Sequence, residues 1–159
     1  MKKRADLIPK DKFDQTTIAE LMKLTQEEIR PIVPELIEWL ADFNWPVAPE
    51  VAKALALFPD SVIGELKKQL TPEADDDILK YWILVGMIRL FEKEKQLLFL
   101  PELQRIVENP TKGEVLEFVL EEALKAYDGT SEPINLIATK YSYSERTIRK
   151  LLKNHLNSI

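Results

Sequence analysis

Ten prolines against four glycines divide this 159-residue chain, and their placement limits the backbone more than any other feature. A proline lacks an amide hydrogen and restricts the residue before it. It therefore opens a helix or stops one, and it is kept out of the middle of a sheet. Alternating apolar and polar runs bounded by turn signals are scarce, so strands are not expected. The chain reads as all-α, with helices cut by sharp stops.

The stretch Asp42 to Leu55, DFNWPVAPEVAKAL, shows how one such stop works. Pro46 disfavours helix at Trp45, so the preceding helix must end there. Pro46 and Pro49 both suit a first helical turn, where the missing hydrogen has no partner in any case. Val47, Val51 and Leu55 then form one stripe, with small Ala48 and Ala52 beside them to allow close helix approach. Trp45 is expected to lie across the seam of the two helices and set their angle. A corner ring that stays half exposed is also a candidate partner surface.

The same grammar recurs. Thr25 and Glu28 have the spacing of a capping box, opening a helix that Pro31 and Pro34 disturb. It resumes with Ile32, Leu36, Trp39 and Phe43 on one face. Pro59 starts a helix with Val62, Ile63, Leu66 and Leu70 inward, and TPEADDD breaks it before ILKYWILVGMIRLF. Pro101 opens ELQRIVEN, Asn109-Pro110 stops it, and EVLEFVLEEALKAY is expected as one closing helix. The second helices of these pairs start near Val47, Ile78 and Val115, separated by 31 and 37 residues. Such periods mark helical solenoids, and an irregular helical bundle is the competing arrangement.

The segments LIPKDKFD (7–14), LTQEEIRPIVPELIEWLADFNWPVAP (24–49), ILKYWILVGMI (78–88) and RIVENPT (105–111) together resemble a bacterial domain family of unknown function. That family is similar to HEAT-type helical repeats. The likeness covers about residues 5–127, and NWPVA is its most distinctive string. It implies an α–α superhelix of about three HEAT-like helical hairpins, and it brings no activity and no catalytic residue.

Residue chemistry argues against catalysis. The chain has no cysteine, which excludes disulfides and thiolate metal sites, and its one histidine, His155, lacks the partners of a triad. Glycines 64, 86, 113 and 129 are too scattered for a phosphate loop. Asp75, Asp76 and Asp77 lack EF-hand spacing and suit a helix start instead. Glu92, Glu94, Glu121 and Glu122 read as solvated faces, while Trp39 and Trp82 read as core. No catalytic residue, cofactor or metal site is therefore expected, and the chain is not expected to be an enzyme. The basic start MKKRADLIPKDKFD is not followed by a signal-type apolar stretch, and the longest apolar run, Tyr81 to Ile88, is far short of the roughly 20 residues of a membrane span. A cytoplasmic protein with no membrane partner is expected.

Charge separates the two ends. Residues 1–127 hold 17 basic and 24 acidic residues, whereas 134–159 hold five basic and one acidic. Residues 1–127 are expected to form the repeat domain, 128–133 (DGTSEP) a linker, and 134–159 a separate segment. In that segment NLIATKYSYSERTIRKLLKNHL resembles a bacterial helix-turn-helix. Ala138 permits a tight crossing, Ser144 can cap the second helix, and Ile137 and Ile148 supply a small core. Ser142 stands where glycine is usual, at a modest conformational cost. Ser144, Arg146, Thr147, Arg149, Lys150 and Lys153 become candidate DNA contacts. A basic helix pair that merely caps the stack is the competing reading. The expected function is a non-catalytic α-solenoid interaction module binding another protein. The alternative is a DNA-binding transcriptional regulator, which would be expected to dimerise.

Overall fold

The computed structural model describes residues 3–128, and among them every regular element is helical. In chain order these are α1 (Thr16–Leu21), α2 (Gln26–Ile29), α3 (Val33–Glu38), α4 (Val47–Ala56), α5 (Pro59–Gln69), α6 (Asp77–Trp82), α7 (Lys93–Gln96), α8 (Leu100–Glu108), α9 (Lys112–Leu116) and α10 (Val119–Asp128). Short 3-10 turns join several of them.

Prolines sit where the expected logic puts them. Pro31 opens the 3-10 turn Arg30–Ile32, Pro34 lies in the first turn of α3, Pro59 begins α5, and Pro101 lies in the first turn of α8. Pro46 is the N-cap of α4. The Thr25–Glu28 capping box is present, with Glu28 N donating to Thr25 Oγ1 at 3.2 Å and Thr25 N to Glu28 Oε1 at 3.3 Å.

The core is continuous from Ile18 to Leu124. Helix α4 lies at its centre, against α1, α3, α5 and the 3-10 turn Trp39–Ala41. Val47, Ala48, Val51, Ala52 and Leu55 are all fully buried, so the small residues do seat neighbouring helices closely. Val62, Ile63, Leu66 and Leu70 point inward as expected. Ser61 ties α5 to α2 by donating its hydroxyl to the Gln26 carbonyl at 2.8 Å and its amide to Gln26 Oε1 at 3.1 Å. This order of packed helix pairs is compatible with a helical repeat-like domain.

Two elements differ from the expectation. The apolar helix after Asp77 changes to a single π turn over Ile83–Met87, and then to a 3-10 turn, Ile88–Leu90. Gly86 lies in that π turn with the ring of Phe43 directly against it, and any Cβ there would collide with the ring. Phe43 in turn stacks on Trp82, with centroids 5.2 Å apart and planes 8° from parallel.

The closing helix is also split. Helix α9 ends at Leu116, and Phe118 takes a positive φ of 65° before α10 begins. Helical spacing explains the break. Glu114 and Ala123 are nine residues apart, two and a half turns, so an unbroken helix would turn them to opposite sides. Both are fully buried. The turn at Glu117 and Phe118 lets one chain segment deliver both to the interior.

Candidate functional site

Two places concentrate polar chemistry in the described residues. The first is interior. Thr111 caps α9 by accepting from Glu114 N at 3.1 Å, and the Glu114 carboxylate reaches back to Thr111 N at 2.8 Å. That capping box leaves the carboxylate facing inward, where Lys80 Nζ approaches Oε2 at 3.1 Å. Arg105 completes the set: its Nη1 donates to Glu114 Oε1, and its Nη2 to Oε2 at 2.7 Å and to the Leu70 carbonyl at 2.6 Å. Asp77 Oδ1 lies 3.2 Å from Lys80 Nζ. Lys80 and Glu114 have no solvent exposure.

Burial alone would push the Glu114 carboxyl up. The donors from Arg105, the Thr111 amide and Lys80 more than offset it and hold the group below the ordinary carboxylate range. Two cations and two anions thus join α6, α8 and α9, with Leu70 bringing in the end of α5. The Lys80 ammonium and both terminal nitrogens of Arg105 face carboxylates or a carbonyl of the protein itself. The arrangement ties helices together.

The second place is at the surface, where two of the most distinctive strings of the sequence meet. In the loop Lys10 to Asp14, Asp14 Oδ2 accepts from Lys10 N at 2.9 Å and from Thr17 Oγ1 at 2.8 Å, and Asp11 Oδ1 accepts from Phe13 N at 2.8 Å. The bonds from the Lys10 amide and from Thr17 hold the Asp14 carboxyl below its ordinary range. Val47 N, in the NWPVA corner, donates to the Lys12 carbonyl at 3.0 Å. The loop is therefore pinned at both ends and in the middle.

Its one apolar side chain is not buried. Phe13 is 66% exposed, and the Lys12 ammonium lies 5.3 Å from its ring centroid. A groove of about 650 Å³ runs beside it, lined among the described residues by Asp6, Asp11, Asp14, Glu20 and Lys10.

Trp45 is half-buried, with its ring edge-on to Trp39 at 5.8 Å between centroids. It packs against the corner and keeps part of its surface open. Trp39 and Trp82, expected in the core, are half-buried on its margin. Asp76 caps α6 by accepting from Leu79 N at 2.9 Å, so the acidic run does serve a helix start. Among the described residues no group of three His, Asp or Glu side chains is placed to hold a metal ion. No helix among them is long and apolar enough to cross a membrane.

Ser144, Arg146, Thr147, Arg149, Lys150 and Lys153 lie outside the described residues, as does His155. Sequence reasoning passed over the buried Lys80, Arg105 and Glu114. Two signals for them were present: the Thr111–Glu114 spacing repeats the capping box at Thr25–Glu28, and Lys80 stands in a helix otherwise apolar nearly all round.

A comparison with curated proteins finds no match. Residues 7–127 match the family described as Domain of unknown function (DUF5071), an interval that takes in the pinned loop, the tryptophan corner and the buried charges alike. The chain belongs to that family.

Proposed function

We propose that residues 7–127 form a non-catalytic interaction module, a stack of HEAT-like helix pairs that binds another protein. The observation that carries this reading is Phe13. A large aromatic side chain gains by burial, roughly 1.5–3 kcal/mol when fully covered. Here it is held out in solvent on a loop whose conformation is set by side-chain bonds from Asp11 and Asp14 and by the bond to Val47. Preorganised aromatic anchors of this kind raise affinity because little freedom is lost when they dock. Trp45, partly open on the corner that Val47 ties to this loop, is a second aromatic candidate for such contact.

The test replaces Phe13 with a photoreactive phenylalanine analogue in the full chain, expressed in its native host, with the exposed Lys53 position as control. A discrete adduct with another protein from position 13, absent from position 53, is expected. No adduct, or equal adducts from both positions, overturns the reading. An adduct containing DNA overturns it in favour of the regulator alternative, which rests on the sequence pattern of Ser144 to Lys153.

A further inference from the structure

The groove beside Phe13 has a neighbour. Glu20, on α1, lines both it and a second groove of about 430 Å³. The second has a different character. Leu7, Leu24, Pro31 and Ile32 give it apolar walls, and Arg4, Lys23 and Glu28 stand at its rim with Glu20. Glu20, which the two grooves share, lies 3.8 Å from Lys23 on that rim. The first groove is the more acidic among the described residues, since Asp6, Asp11 and Asp14 outnumber Lys10 and the Lys12 ammonium over Phe13.

We infer that this bipartite trough takes a basic segment of a partner protein that also carries large apolar side chains. The inference deepens the protein-binding reading and rests on it. The apolar walls and Phe13 supply the hydrophobic contact that charge alone lacks, and the acidic half selects the sign of the partner. Asp11 and Asp14 already accept backbone amides, yet each carboxylate has further acceptor positions for an incoming ammonium or guanidinium. A polyanion is disfavoured twice, by these carboxylates and by the excess of acidic residues over residues 1–127. Two adjoining grooves suit an extended chain, whose successive side chains reach the charged and the apolar part in turn.

Fluorescence anisotropy with the full chain tests this, using labelled twelve-residue peptides of three compositions: lysine with leucine, lysine with serine, and glutamate with leucine. The lysine–leucine peptide is expected to bind at least tenfold tighter than either of the others. Phe13→Ser and Asp6→Lys should each weaken it at least fivefold. Glu117→Lys, an equal change of charge on the exposed turn between α9 and α10, should leave it within twofold.

Equal binding of the acidic peptide, or an equal loss from Glu117→Lys and Asp6→Lys, overturns the inference. Tighter binding after Arg146, Arg149, Lys150 and Lys153 are all changed to Glu would hand the trough to the chain's own tail and overturn the partner assignment. The two readings also fail separately. A photoadduct at position 13 with an acidic protein segment would keep the interaction module and remove the basic partner.

Discussion

Glu114 carries a full charge into the interior, and its neighbours decide whether that is tolerable. Moving a carboxylate out of water costs several kcal/mol, and here the cost is met by Arg105, Lys80 and the Thr111 amide together. Removing one partner of such a set leaves the others uncompensated. Glu114→Gln is expected to destabilise the protein by about 3–5 kcal/mol at pH 7 in urea unfolding. The pH dependence follows from the sign of the shift. The Glu114 carboxyl is held lower in the folded state than in the unfolded one, so its contribution is complete above the ordinary carboxylate range. It is lost as pH falls through the folded value, in the window below about pH 4. The Gln variant, having no proton to gain, should show a shallower acid limb, and the two proteins should converge in stability at low pH. These residues were only partly legible in the sequence. A capping-box spacing predicts where a helix starts. It does not say that the capping carboxylate will also meet a lysine 34 positions earlier, because that depends on how α6 and α9 pack.

At the scale of elements, the π turn over Ile83–Met87 is the clearest departure from regular geometry. A run such as ILKYWILVGMI is apolar nearly all round, so nothing in its pattern marks the place where one turn widens. Its surroundings are tertiary: Phe43 lies flat on Trp82 and fills the space where a side chain at position 86 would stand. Gly86→Ala must displace that ring, and overpacking of this kind costs about 1–3 kcal/mol. The expected result is a lower thermal midpoint with reduced near-ultraviolet circular dichroism from Trp82. An unchanged spectrum and midpoint would show that the ring moves aside freely. Phe118 makes the same point about legibility. Periodicity alone joins α9 to α10, and only the competing demands of Glu114 and Ala123 reveal why the chain must turn between them. The proline stops, by contrast, act through the local backbone, which is why α4, α5 and α8 begin where the sequence places them.

For the molecule as a whole, the helix pairs do not behave as independent units. Solenoid stability is often close to a sum of repeats and nearest-neighbour contacts, and terminal repeats can then be trimmed. Here residues from α6, α8 and α9 share one charge cluster, and α10 packs on α6, α8 and α9. A chain ending at residue 110 retains Lys80 and Arg105 without Glu114, and it loses the buried Val119, Leu120, Ala123 and Leu124. It is expected to lack a cooperative urea transition followed by tryptophan fluorescence, although Trp39, Trp45 and Trp82 all remain. A sharp transition at the full-length midpoint would show that the pairs are separable. The all-α class and the starts of α4, α5 and α8 were readable from prolines and periodicity. The polar bond between α6, α8 and α9 was not, because its members lie far apart in the chain and the signals at Lys80 and Thr111 do not point to each other.

The position of Glu114 also bears on how the protein is made. Lys80 precedes Glu114 by 34 residues, so it leaves the exit tunnel with Asp77 beside it but before Glu114 has followed. Until then Arg105 and Lys80 together have one carboxylate fewer than in the finished interior. The last helices therefore seal late in synthesis, after the rest of the core has emerged.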